Sequence, residues 1–181
     1  MDIIENHINV VVVNGSAGSG KSTFEEMCSF ILGPYYRSRS SIDKVKEIAK
    51  NCGWDGSKDL ANRKFLSDLK DLLTNFNDLP YQDVKKEILS FENELLSYNI
   101  NPKKAFIFCD IREPHEIQRM KDDFNAITLL VRRDAAESAP TSNHADANVL
   151  NYNYDYVVNN NGTYEELRIE ASKFINKFRE K

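Results

Sequence analysis

The sequence predicts an α/β fold of three layers (α/β/α), with helices on both faces of a mostly parallel sheet of about five strands. Three observations lead there. The apolar runs Ile8–Val13, Ala105–Cys109 and Ala126–Val131 are rich in β-branched and aromatic residues, and too short for helices. Nearly continuous apolar strands are what a sheet covered on both faces requires. Between the runs, apolar residues recur at three- and four-residue spacing, the period of amphipathic helices. No internal repeat, low-complexity tract or long linker interrupts the 181 residues, which read as one domain spanning 1–181.

The elements follow in order. Tyr154–Val158 is a weaker fourth strand because it carries Asp155, and residues 35–39 supply a short fifth. Residues 21–32 form a helix with Phe24, Met27, Cys28 and Ile31 inward. Ser41 is placed to cap a helix whose face is Ile42, Val45, Ile48 and Ala49. Residues 60–73 carry Leu60, Phe65, Leu66, Leu69, Leu72 and Leu73 on a stripe, and residues 81–97 carry Val84, Ile88, Phe91 and Leu95. Pro114 fits the first turn of a helix bearing Ile117, Met120 and Phe124. Thr163 caps a last helix with Leu167, Ala171, Phe174 and Phe178. All these stripes are expected to face the core. The long, mostly helical stretch between the first two clear strands predicts a helical insertion over about 35–100, where a second ligand would sit. Ligands of such sheets bind beyond the carboxyl ends of the strands.

Composition narrows the function. The net charge is −4 and the pI about 5.5, whereas a general nucleic-acid binder carries a basic excess, so no nucleic-acid partner is expected. The three cysteines, Cys28, Cys52 and Cys109, form no C-x-x-C unit, and the three histidines have no metal-ligand spacing. Neither a signal peptide nor a membrane span is visible, so we expect a cytoplasmic protein with reduced thiols.

The motif with chemical content is Gly15-Ser16-Ala17-Gly18-Ser19-Gly20-Lys21-Ser22, followed by Thr23, which matches G-x-x-x-x-G-K-[ST] between a strand and a helix. Its glycines let backbone N–H groups close on an anion at a helix N-terminus. Lys21 reaches the outer phosphates and the Ser22 hydroxyl ligates Mg²⁺. We therefore expect a P-loop NTPase fold that binds ATP with Mg²⁺. The motif alone names no reaction.

Asp110 ends an apolar strand, where a carboxylate supports Mg²⁺, and Arg112 two residues later suits a phosphate. A helix-capping aspartate and a solvated arginine are the alternative there. Arg132 and Arg133 sit at the root of a small polar stretch, 132–148, that we expect to act as a lid over the transferring group, a surface loop with two solvated arginines being the alternative. Asn159-Asn160-Asn161-Gly162 follows the last strand, either as a plain turn or close to a nucleotide base. No residue is an obvious general base, although Asp43 or Asp110 could serve. That favours an acceptor already ionised, such as a phosphate monoester, approached through the pool Arg37, Arg39, Arg63, Arg112, Arg132 and Arg133.

Four segments in this order resemble the nucleoside and deoxynucleoside monophosphate kinases of bacteriophages and bacteria. They are the glycine loop, S-S-I-D-K-V-K-E-I-A from Ser40, G-W-D-G-S-K-D from Gly53 with Arg63 after it, and D-I-R-E-P-H-E from Asp110. The closing Y-D-Y-V-V-N-N-N-G-T from Tyr154 is similar too. The resemblance implies an enzyme of adenylate kinase-like fold in which Lys46, Lys58, Arg63 and Arg112 line the acceptor monophosphate site. In it, Lys21, Arg112, Arg132 and Arg133 act in catalysis, and Ser22 and Asp110 serve the metal. It departs at the lid, where His144-Ala145-Asp146 replaces the His-x-Ser-Glu type segment of those kinases. Phosphomevalonate kinase shares the general plan, so a non-nucleotide metabolite, phosphomevalonate or dephospho-coenzyme A, stays open as acceptor. So does a nucleotide-binding switch without a second small-molecule site. The partners expected are the donor nucleotide and a small phosphorylated acceptor, with the protein a monomer or homodimer and no membrane involved.

Overall fold

Strand β1 (Asn9–Asn14) lies at the centre of a sheet that also contains β2 (Tyr36–Ser40), β3 (Phe106–Asp110), β4 (Ile127–Arg132) and β5 (Tyr156–Asn159). The order is β2-β3-β1-β4-β5 and every pairing is parallel. The structure is a computed structural model and describes residues 7–138 and 149–179.

Alternation along the strands sorts the core into two halves. Val10, Val12, Ile107 and Cys109 face α4 (Leu79–Ser97) and α5 (Pro114–Phe124), with Val84, Ile88, Phe91, Ile117 and Met120 packed on them. Val11, Val13, Phe106, Phe108 and Leu129 face α1 (Lys21–Leu32) and α7 (Tyr164–Arg179), meeting Phe24, Cys28, Phe174 and Phe178. The three layers are therefore those that the sequence predicts, and the sheet is wholly parallel.

Between β2 and β3 come α2 (Asp43–Asn51), α3 (Leu60–Asn77) and α4. Two expectations fail here. Ser41 does not cap α2, because the residue before the helix is Ile42 and it is Asp43 that accepts the Ser40 N–H at 2.8 Å. The α3 stripe does not enter the core either. The helix has no buried residue, and Leu60, Phe65 and Leu72 are exposed, because its main contacts are with α2 and α4 rather than with the sheet. In α1, Ile31 likewise stays at the surface. Pro114 opens α5 as expected, and Thr163 and Glu166 exchange hydrogen bonds at the start of α7 as a capping box.

Asp155, the residue that weakens the last apolar run, precedes β5 rather than lying in it. Its carboxylate accepts from the Thr128 N–H at 2.9 Å and hydroxyl at 2.8 Å, and pairs with Lys121, so it clasps the start of β4.

Candidate functional site

The loop between β1 and α1 is held from three sides. The Gly15 N–H donates to Asn14 Oδ1 (2.8 Å), the Ser19 N–H to the Ser16 carbonyl (3.1 Å), and Asn160 Nδ2, just beyond β5, to the Ser19 carbonyl (2.9 Å). Two glycines are required by this geometry. A Cβ at Gly15 would stand 2.5 Å from the Val131 carbonyl. Gly20 has φ +93 as it enters α1, and a Cβ there would run into the Asn160 amide. Gly20→Ala is therefore expected to cost about 1–3 kcal/mol of folding stability and to weaken nucleotide binding. Denaturant unfolding and a nucleotide titration check it; wild-type behaviour in both would refute this cradle geometry.

The loop fits a phosphate on a further observation. The Ser19 hydroxyl is buried without a hydrogen-bond partner, inside a cradle whose glycines leave no Cβ to fill it. Ser22 is exposed in the first turn of α1.

Parallel pairing aligns Val13, Asp110 and Ser40 at the carboxyl edge of the sheet. The end of β3 thereby comes between the start of α1 and the start of α2. Burial pushes the Asp110 carboxyl above its usual range, while Lys21, Arg112 and Lys46 oppose that shift and Asp43 adds to it. Lys46 in turn lies 3.7 Å from Asp43. Three of the residues singled out in the sequence, Lys21, Lys46 and Arg112, thus act electrostatically on a fourth, Asp110.

Glu25 was not among them. It lies one turn after Lys21 on α1, is 8% exposed, and burial together with the Asp110 charge pushes its carboxyl up to about 8. The spacing of four from Lys21 is the signal that would have found it. A carboxyl raised from 4.5 in the unfolded chain to about 8 in the fold favours folding below the lower value and loses that contribution as pH rises through the upper one. Glu25→Gln, which cannot ionise, is expected to melt above the wild type at pH 8, with the gap closing toward about pH 5. Melting curves at both pH values decide, and a gap independent of pH would refute this.

The other candidates are dispersed. Lys58 and Arg63 are exposed at the start of α3, with the Arg63 Nε–H donated to the Lys58 carbonyl at 2.7 Å. Around them Asp59 caps α3 by accepting the Asn62 N–H at 2.8 Å, and the Trp54 indole donates to the Ser57 carbonyl at 3.3 Å. The segment from Gly53 is a turn leading into a helix.

Arg37 and Arg39, from the same cationic pool, are paired with carboxylates of α4. Arg37 pairs with Glu87 and Glu94 at 3.0 and 2.6 Å and lies over the Phe91 ring, while Arg39 bonds Asp83 at 2.7 Å. Arg132 makes a two-pronged pair with Glu137 of α6 (Asp134–Glu137) at 2.8 and 2.7 Å, and Arg133 is exposed. Residues 139–148, with His144 and Asp146, lie outside the described residues. Asn161 accepts the Asp134 N–H at 2.9 Å, so the turn after β5 braces both the glycine loop and α6. Glu116 stands in the first turn of α5 and pairs with Lys70 of α3 at 2.8 Å.

No family model matches the chain, and no curated protein does. Among solved structures, the chain is similar to an unliganded sugar kinase from Janibacter sp. at 13% identity, covering 93% of this chain and 95% of that one with a TM-score of 0.49. It is also similar to a mutant of the Mycobacterium tuberculosis APS kinase, at 12% identity, 95% and 99% coverage and a TM-score of 0.47. A Thermus thermophilus protein, TT1252, is similar at 17% identity, 95% and 98% coverage and a TM-score of 0.47. At these values the likeness does not extend to chemistry.

Proposed function

We propose that the chain is an ATP-dependent kinase that transfers the γ-phosphoryl group to a small phosphorylated acceptor, a (deoxy)nucleoside monophosphate. The observation that carries this reading is Asp110, at the carboxyl edge of the sheet, with the charges of Lys21, Arg112 and Lys46 all acting on it. A phosphate held by the cradle and a second phosphate near Arg112 would meet there.

The chemistry is a balanced exchange. The bond from the γ-phosphorus to its bridging oxygen breaks, a bond to an acceptor phosphate oxygen forms, and the bridging oxygen leaves on ADP. Near neutral pH a phosphate monoester, with a second pKa of about 6, has little left to lose, so no general base is needed. The chain's work is positioning and charge stabilisation. The residues from Gly15 to Thr23 hold the donor phosphates through backbone N–H groups and the N-terminus of α1. Lys21 neutralises charge on the outer phosphates, and Arg112 and Lys46 draw in the acceptor. Lys58 and Arg63 belong to this acceptor group by resemblance, and Arg132 and Arg133 to the lid side. Arg132 would have to exchange Glu137 for phosphate.

The exposed Ser22 hydroxyl and the Asp110 carboxylate are hard oxygen donors of the kind Mg²⁺ takes when phosphates complete its shell. Mg²⁺ held there would neutralise charge on the donor phosphates. Among the described residues, no helix is long and apolar enough to cross a membrane.

A coupled ADP-release assay over a panel of ribo- and deoxyribonucleoside monophosphates tests the proposal. Turnover with at least one is expected. Turnover only with a non-nucleotide phosphorylated metabolite would replace the acceptor, and slow hydrolysis with no acceptor at all would point to a switch.

A further inference from the structure

We propose that Asn14 is a positioning residue for phosphoryl transfer, joining the donor cradle to the backbone that carries Arg112 and to the Tyr154 hydroxyl; this rests on the kinase reading above. Asn14 ends β1, follows four valines and is fully buried. Another apolar residue would extend the strand and fill the space. The carboxamide instead reaches three separate pieces of chain. Its Oδ1 accepts the Gly15 N–H at 2.8 Å, and its Nδ2 donates to the Arg112 carbonyl at 3.2 Å and to Tyr154 Oη at 2.9 Å. The Tyr154 hydroxyl in turn donates a hydrogen bond to the Val149 carbonyl at 2.8 Å.

The direction of this chain of donors is set. Burial pushes the Tyr154 phenol up to about 12, so it keeps its proton and donates at neutral pH. One amide thus holds the first residue of the donor loop and the segment bearing the acceptor-side arginine in a fixed relation. The tie crosses strands: β1 supplies the amide, the exit of β3 one partner, and the approach to β5 another. A buried amide whose partners are removed is left unsatisfied, which forces the loops around it to shift rather than merely soften. Displacements of about 1 Å between reacting groups cost up to about a hundredfold in rate. A joint at this place therefore bears on the alignment of the two phosphates more than on either alone.

Tyr154→Phe is the gentle test, because it removes one oxygen and leaves the ring packed at the edge of the core. Asn14→Asp is the stronger one, keeping the shape while deleting both N–H donors. In the full chain, Tyr154→Phe is expected to lower kcat/KM for the acceptor about tenfold while the Kd for ATP stays within about twofold. By hydrogen exchange, the Gly15 amide and the amides at 112–113 should both exchange faster in the variant. Asn14→Asp should exceed Tyr154→Phe in both respects if it folds. A lower melting temperature with acceptor kinetics and both sets of amides unchanged would mean a purely structural role and overturn the proposal. A wild-type chain that turned over no monophosphate would sink the kinase reading by itself, and the exchange measurement alone would then decide whether Asn14 couples the two loops.

Discussion

Replacing Lys21 with methionine is expected to lower turnover about a thousandfold, with a melting temperature within a few degrees of wild type. Methionine keeps an unbranched apolar stem at the first residue of α1 and removes only the ammonium group. The loss should be large because a fixed cation in a site from which water is excluded stabilises transferring charge far better than it would in water. One side effect has a definite sign. Lys21 opposes the upward shifts of both Glu25 and Asp110, so its removal should push both carboxyls further up and make stability fall more steeply between neutral and alkaline pH. Coupled ADP release and melting curves at two pH values measure both effects. Turnover within tenfold of wild type would end the case for Lys21 as the phosphate lysine.

Asp110→Asn is expected to move activity and stability in opposite directions. Turnover should fall about a hundredfold to a thousandfold, because the carboxylate proposed to support Mg²⁺ becomes a neutral amide with weaker affinity for a hard cation. The melting temperature should rise at pH 8. Burial and the Asp43 charge both disfavour an ionised Asp110, and its own charge contributes to the raised Glu25 pKa. Neutralising it relieves each of these. The Ser41 N–H bond to the residue 110 carbonyl involves only backbone and survives the change. A variant both inactive and less stable would instead make Asp110 a structural carboxylate. One fully active would remove it from the site.

Much of the architecture was legible because it rests on local patterns. The strands begin and end within a residue or two of the apolar runs, and the shifts have causes. The β1 run reads as ending at Val13 because asparagine is polar, yet Asn14 stays in the strand since its amide is satisfied inside. What was not legible depends on partners distant in sequence. The carboxylate partners of Arg37 and Arg39, namely Asp83, Glu87 and Glu94, are brought by α4 from more than forty residues away. The α3 stripe has proper helical spacing, but periodicity does not reveal whether anything packs on it. Arg132 beside Arg133 reads as a free cation pair until Glu137, five residues on, folds back onto it. Glu25 was in plain view at i+4 from Lys21, yet a glutamate in a helix gives no sign of burial until the β3 carboxylate is placed opposite.

The helix α3, 18 residues without a buried side chain, gives the molecule an energetic periphery. Opening it would break contacts with α2 and α4 and the Lys70 pair with Glu116 of α5, and leave both halves of the sheet core closed, so the free energy required is far below that of global unfolding. Substitutions along it cost little stability and are tolerated where changes in β1 or β3 are not. The helix that begins beside Lys58 and Arg63 is therefore the part of the chain in which mutations can accumulate and recombine over generations. If the proposed acceptor group at Lys58 and Arg63 holds, a lineage could try one acceptor after another on this rim while the loop from Gly15 to Lys21 stayed as it is.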